Sequence, residues 1–230
     1  MKKYISIILV AVLVVTAIGC QKQSAGKTRI TYYPTLTLSG DSYVLLTVGD
    51  SFTDPGFKAE MNGEDVTDQI VVNTNLDNNT PGLYPVVYSI VNSDGISASA
   101  TRYVIVHKAT DKISGTYTTD AASYRDTGSA QTAMGGAYQV LIYPSENDDE
   151  YVVSDLLGGW YGQRVGYGSN YELVGTIQAT GGILSLVDSY LIGWGDAALG
   201  FTGTYTDGTL VWDVIYAYDT WTFHIKVDKN

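Results

Sequence analysis

Apolar and polar residues alternate along most of this chain. Beyond the first twenty residues, no stretch keeps apolar side chains at the i, i+3, i+4, i+7 spacing of a buried helix face. In Leu83-Tyr84-Pro85-Val86-Val87-Tyr88-Ser89-Ile90, the period of two puts Tyr84, Val86, Tyr88 and Ile90 on one face. Asn92-Ser93-Asp94-Gly95 then supplies a hairpin turn, because Asp-Gly accepts positive φ at little cost. Thr101-Arg102-Tyr103-Val104-Ile105-Val106 answers as the returning strand, with Val104 and Val106 inward. Further on, strands are predicted at residues 138–143, 151–156, 171–177, 183–187, 201–205, 210–218 and 220–227. Asp207-Gly208 makes a compact hairpin between two of them, and in the last Trp221, Phe223, Ile225 and Val227 share one face. Trp212, Trp221 and Phe223 therefore read as core.

This pattern predicts an all-β protein in two parts. Residues 29–108 have the strand spacing of an immunoglobulin-like β-sandwich. Residues 111–230 read as an antiparallel meander that closes as a small, lipocalin-like β-barrel or packs as a sandwich. Closure removes exposed strand edges, and a barrel of this size can hold one ligand in its mouth. Composition shifts at the seam, His107-Lys108-Ala109-Thr110-Asp111: all four tryptophans and twelve of the nineteen tyrosines follow it.

The exception to alternation is the start. Lys2 and Lys3 precede an apolar run over residues 5–18, and Thr16-Ala17-Ile18-Gly19-Cys20 closes it before polar Gln21-Lys22-Gln23-Ser24. This is the layout of an export signal, and the run is shorter than the roughly 20 residues that cross a bilayer. The small-residue-then-Cys ending resembles a bacterial lipobox. That resemblance implies a signal peptide at 1–19, a lipid on Cys20, and a tether over 20–28. The expected location is the cell envelope, at the outer membrane, on a face the sequence leaves open.

Charge and cysteine usage remove several function classes. The net charge is -11, which repels nucleic acid and anionic headgroups. Cys20 is the only cysteine, and His107 and His224 fall in different halves, so no cofactor and no metal site is expected. Asp50, Asp54, Asp65, Asp68 and Asp77 lack the loop spacing of a calcium site. Glu146-Asn147-Asp148-Asp149-Glu150 reads as a solvated loop, and neither glycine-rich stretch has a phosphate-loop ending.

Two resemblances sharpen the picture. Val48-Gly49-Asp50-Ser51-Phe52-Thr53-Asp54-Pro55-Gly56-Phe57, then Gly82-x-Tyr84-x-Val86-x-Tyr88 and Arg102-x-Val104-x-Val106, resembles a bacterial immunoglobulin-like repeat of the hyalin/cadherin-like kind. Such repeats are spacers or adhesive modules, so no catalytic residue is implied. The lipobox, the domain order and the run from Tyr151 through Trp160-Tyr161 to Tyr171 resemble two-domain exported lipoproteins of gut Bacteroidetes. These are often associated with polysaccharide capture.

Candidate binding residues follow from loop chemistry. Gly158-Gly159-Trp160-Tyr161-Gly162-Gln163-Arg164, Tyr167-Gly168-Ser169-Asn170-Tyr171 and Gly193-Trp194-Gly195-Asp196 set rings beside amides and charges. Flat rings stack on sugar C–H faces while fixed polar groups take the hydroxyls. The candidates are Trp160, Tyr161, Arg164, Tyr167, Asn170, Tyr171, Trp194 and Asp196. A second reading keeps these aromatics as plugs of the barrel ends. Asp155, Glu172, Asp188, Asp196 and Asp213 supply carboxylates for a glycosidase pair, but nothing in the pattern raises one pKa over another. The expected function is non-catalytic glycan binding at the envelope. The alternatives are assembly with another outer-membrane protein, such as a transport protein, and a small glycoside or ester hydrolase.

Overall fold

The computed structural model describes residues 30–218 and 220–230. The signal peptide, Cys20 and the tether up to residue 29 lie outside the described residues.

The first unit is a β-sandwich of seven strands: β1 (Thr35–Leu38), β2 (Tyr43–Thr47), β3 (Phe57–Met61), β4 (Glu64–Asp65), β5 (Val71–Thr74), β6 (Gly82–Val91) and β7 (Ser97–His107). One sheet runs β1-β3-β4 and the other β2-β7-β6-β5, with β2 parallel to β7. Hairpin β6–β7 is paired along its whole length, from Gly82 opposite Val106 to Val91 opposite Ser97. Its turn is held by Asn92, whose Oδ1 accepts the N–H groups of Asp94 (2.9 Å) and Ile96 (2.8 Å), while Gly95 takes φ +81°. Val86, Tyr88, Val104 and Val106 fill the space between the sheets.

Arg102, on β7, closes this unit. Its side chain is wholly buried and donates to the carbonyls of Asp41 (2.6 Å), Ser39 (2.9 Å) and Gly56 (3.0 Å). Asp54 lies 3.7 Å away as its counter-ion, accepts the Tyr88 hydroxyl at 2.5 Å and takes the Gly56 N–H at 2.8 Å. The Asp54-Pro55-Gly56 motif is thus a cap over a buried guanidinium. Asp65 and Asp77 accept N–H groups two residues downstream, at Thr67 and Asn79.

The second unit is a barrel built from β8 (Gly115–Thr119), β9 (Tyr124–Asp126), β10 (Gln131–Ala133), β11 (Gln139–Pro144), β12 (Glu150–Val153), β13 (Val174–Thr180), β14 (Ile183–Tyr190), β15 (Gly200–Thr206), β16 (Thr209–Ile215) and β17 (Thr222–Lys229). Each of β11 to β17 pairs with the next, β8 pairs with β11, and β17 returns to β8, closing eight antiparallel strands. Short hairpin β9–β10 was not legible in the sequence, because three-residue strands carry no period. It survives by pairing with the first half of β17 (Phe223 opposite Arg125), while β8 takes the second half (Val227 opposite Thr119).

Two expectations change here. The barrel interior is solid: Tyr117, Trp212, Phe223 and Met134 are fully buried within it, and Trp212 donates to the Leu156 carbonyl at 2.7 Å. These side chains occupy the space behind the loop-bearing mouth. Trp221 is also not core. It precedes β17 and is half-buried, because the strand begins only at Thr222.

Connection lengths give the barrel two unlike ends. The links at 145–149, 181–182 and 207–208 are short turns at one end. Residues 120–138, 154–173, 191–199, 216–218 and 220–221 all emerge at the other. The two units dock sideways, β11 against β6 and β7. Ile105 and Leu141, buried but belonging to neither core, sit on these strands. Burying each contributes roughly 1.5–3 kcal/mol.

Candidate functional site

The loop-bearing barrel end is organised by Asp155. Its carboxylate is completely buried and accepts three backbone N–H groups: Leu157 (2.8 Å), Leu173 (3.1 Å) and Gly159 (2.9 Å). Both ends of the 154–173 connection are thereby tied to one side chain. Burial pushes the Asp155 carboxyl up to about 7, against the pull of those three donors, with Glu172 adding to the rise.

Gly158 and Gly159 follow with φ of +64° and +91°. A Cβ on Gly159 would stand 2.6 Å from the Cβ of Tyr138, so no larger residue fits. The chain then winds into one π-helical turn, Trp160–Arg164, in which Arg164 N–H reaches the Gly159 carbonyl at 2.8 Å. Such turns are rare and recur at functional sites. The wide winding sends Trp160 down into the barrel and lays Tyr161 across its end.

Four rings converge there from two connections. Tyr161 and Trp194 meet edge to face, with centroids 4.8 Å apart. Tyr171 lies 5.1 Å from Trp194, and Tyr167 lies 5.3 Å from Tyr171. These are the offset and T-shaped arrangements that aromatic quadrupoles favour. The 191–199 loop is seated by Gly193, whose N–H donates to the Asn170 carbonyl at 2.7 Å. Asp196 accepts the Tyr216 hydroxyl at 2.6 Å, and burial followed by Asp196 raises the Tyr216 pKa. Trp194 remains 46% exposed and Tyr167 55%, so the cluster presents ring surface to solvent.

The predicted residues divide. Tyr161, Tyr167, Tyr171, Trp194 and Asp196 are brought together, and Asn170 sits beside them with its side chain exposed. Trp160 is corrected: it is 2% exposed and packs edge-on against Phe223 (5.5 Å) in the core. No ligand reaches its ring, because the π-turn points it inward. Arg164 covers that ring at 4.2 Å and donates to the Met134 carbonyl at 2.9 Å, so it holds the loop.

Sequence reasoning missed Tyr216, hidden at the end of a strand pattern, and Arg125, carried by hairpin β9–β10. Arg125 is sandwiched between the rings of Trp160 (4.9 Å) and Trp221 (4.6 Å). The adjacency of Tyr124 and Arg125 to a Gly-Ser turn was the only signal for it.

Chemically, the end offers ring faces, amides and hydroxyls. Of its carboxylates, Asp155 is committed to three N–H groups and Asp196 to Tyr216, while burial raises the pKa of Glu172.

Comparison with known proteins places this architecture. A family model described as the Ig-like domain of bacterial surface proteins matches residues 36–106, and a model for a C-terminal domain matches residues 107–229. The crystal structure of the lipoprotein BT2262 from Bacteroides thetaiotaomicron aligns at 36% identity over 86% of this chain and 100% of its own, with a TM-score of 0.78. The chain belongs to that lipoprotein's family. An immunoglobulin-like unit followed by a barrel is thus the architecture of this BT2262-type chain, and it is homologous to a Bacteroides lipoprotein. Two structures of Clostridium perfringens ZmpB align more weakly. CBM51-2 in complex with GlcNAc, with INT domains, aligns at 16% identity over 85% of this chain and 43% of its own, TM-score 0.29. The M60 catalytic domain with CBM51-1 and CBM51-2 aligns at 15% over 86% and 21%, TM-score 0.30. Scores this low support no argument about fold or ligand. No curated protein sequence matched.

Proposed function

We propose that the protein is a non-catalytic envelope lipoprotein, anchored through Cys20 at the outer membrane, whose barrel end binds a glycan in polysaccharide capture. The observation that carries this reading is the convergence of Tyr161, Tyr167, Tyr171 and Trp194 on the loop-bearing end, with Tyr167 and Trp194 open to solvent. A sugar ring stacks on such a surface through its C–H face, and the side chain of Asn170 lies within the same loop to take hydroxyls. The solid barrel makes this a platform, suited to a segment of a longer chain. The immunoglobulin-like unit serves as the stalk.

The test is a glycan array probed with the protein, followed by tryptophan emission on adding a hit. Trp194→Ala and Tyr167→Ala should abolish retention while leaving the unfolding curve nearly unchanged. Retention that survives both substitutions removes the platform from the site.

A second reading has its own observation. Val165, Tyr190, Ile192 and Tyr218 are also exposed on these connections or at their edges, and aromatic residues are enriched in protein interfaces. In that case the barrel end seats another outer-membrane protein, and mild crosslinking in the envelope should trap one stoichiometric partner.

A further inference from the structure

Two clefts flank the docking line between the units, and they differ in chemistry. One, of about 570 Å³, is walled by the 145–149 turn and carries Asp111, Glu146, Asp148, Asp149 and Glu150 around Lys108. Lys108 is paired with Asp148, Asp111 accepts the Ile113 and Ser114 N–H groups, and Glu150 accepts from Ser145 and Asn147, so the charged groups of this cleft are largely committed. The other, of about 750 Å³, lies between β2 of the sandwich and the β8–β11 wall of the barrel. That volume falls within the roughly 300–1,000 Å³ of small-ligand sites, which favour domain interfaces.

We propose that this second cleft is a ligand site of its own, distinct from the barrel end, and that it takes a short uncharged oligosaccharide of about two or three rings. Its sandwich wall combines an aromatic and apolar strand, β2, with polar Asp41 and Ser42 just before it. Tyr43 and Leu45 alternate onto the outer face of β2, with Ile105 of β7 beside them, and Tyr43 stacks with its cross-strand neighbour Tyr103 at 5.6 Å and 14°. Its barrel wall is polar: Thr116, Gln139 and Asn230. Asn230 is fixed in place by three hydrogen bonds, N–H to the Thr116 carbonyl (3.0 Å), Nδ2 to the Thr116 hydroxyl (3.2 Å) and Oδ1 from the Thr118 hydroxyl (2.6 Å).

Among the described residues, the side chains of Asp41, Ser42, Tyr43 and Gln139 have no hydrogen-bond partner within the protein. The cleft therefore presents one carboxylate and two hydroxyls on the sandwich side, on and beside the Tyr43 ring, and one amide from the barrel side. An aromatic surface with free polar groups beside it and an amide opposite matches a pyranose, which has hydroxyls around its rim and C–H groups on its faces. Asp41 is the only charged side chain in the lining. An acidic sugar would meet a carboxylate and no cation, so the lining disfavours an anionic ligand.

The cleft exists only while the units stay docked. Ile105 of its lining is fully buried, so a docked seam and a formed site are one structural fact.

The experiment uses the full chain in detergent micelles, labelled with nitrogen-15, titrated with cellotetraose, xylotetraose and mannotetraose at millimolar concentration. At least one should shift the amides of residues 41–45 and Gln139. No tryptophan lines this cleft, so its occupation should leave tryptophan emission unmoved, whereas binding at the barrel end would shift it. Tyr43→Ala should weaken the cleft affinity about tenfold, Gln139→Ala about fivefold and Tyr43→Phe about threefold. Silence at residues 41–45 with all three probes overturns the proposal, as does an affinity unchanged in both Tyr43→Ala and Gln139→Ala. Shifts confined to residues 161–171 and 194 overturn it while supporting the barrel-end reading. Shifts at the cleft alone do the reverse.

Discussion

Each unit of this protein takes arginine at least partly out of water, and the two solve the problem of its charge differently. In the sandwich, Arg102 is surrounded by carbonyls of Ser39, Asp41 and Gly56, with Asp54 as counter-ion. In the barrel, Arg125 and Arg164 lie on the faces of Trp160 and Trp221. Arg102 and Arg125 each leave Nε without a hydrogen-bond partner, yet only the first is fully enclosed. The carbonyl solution consumes every group of the motif and makes a lock. The aromatic solution rests on ring faces beneath the cations, with the Met134 carbonyl taking one Arg164 donor, so loop residues above them stay free to meet a ligand.

The largest effect should come from breaking the lock. Arg102→Ala removes a buried side chain and leaves three part-buried carbonyls without their donor and the Asp54 carboxylate, 29% exposed, without its counter-ion, a loss of about 2–4 kcal/mol. Urea denaturation should show the sandwich unfolding at a lower midpoint. A loss below about 1 kcal/mol would mean the carbonyls find water instead.

Asp155 tests the barrel end through pH. Its folded pKa of about 7 lies above the ordinary 3.8, so the unfolded chain releases its proton first as pH rises. The stability it contributes is full below pH 4 and is lost as pH climbs to 7, on the order of 4 kcal/mol. Asp120, Asp126 and Asp228 are held below their ordinary values by hydrogen bonds and ion pairs. Their contribution is lost on the acid side, below about pH 4, which leaves the window from 4 to 7 to Asp155 and, with the same sign, Glu172. Stability measured across that window should fall in the wild type and flatten in Asp155→Asn. Parallel profiles would show that the three N–H donors outweigh burial.

Gly159→Ala sharpens the comparison further, because the aromatic solution depends on the π-turn. Strain at φ +91° and the clash with Tyr138 should cost about 1–3 kcal/mol and displace Tyr161. A crystal structure of the variant would show whether Arg164 leaves the Trp160 ring. Trp194→Ala should be the mildest change, within about 1 kcal/mol in thermal denaturation, since the ring is nearly half exposed. A larger loss would place Trp194 in the core and weaken the platform.

Much of the strand content was legible because a period of two is a local property. The faces of β6 and β7, the Asp207-Gly208 turn and the buried side of β17 all follow from residues within reach of one another. Two things were not legible. Arg125 lies on a strand too short to show a period, existing only because β17 pairs with it. Trp160 and Tyr161 are neighbours in one glycine-rich loop, and nothing local says which faces the core. The answer came from Asp155, which binds Leu157, Gly159 and Leu173 at once and so imposes the winding.

By itself, then, the sequence determined an all-β chain in two units and the residue types of an aromatic loop end, because alternation and turn chemistry act over a few residues. Only the tertiary structure decided that the barrel is filled and that one tryptophan is core while another is open. It also decided that a cleft forms beside β2. Each of these depends on which distant segments exclude water from one another, and that is set when strands far apart in the chain close the wall and the units dock.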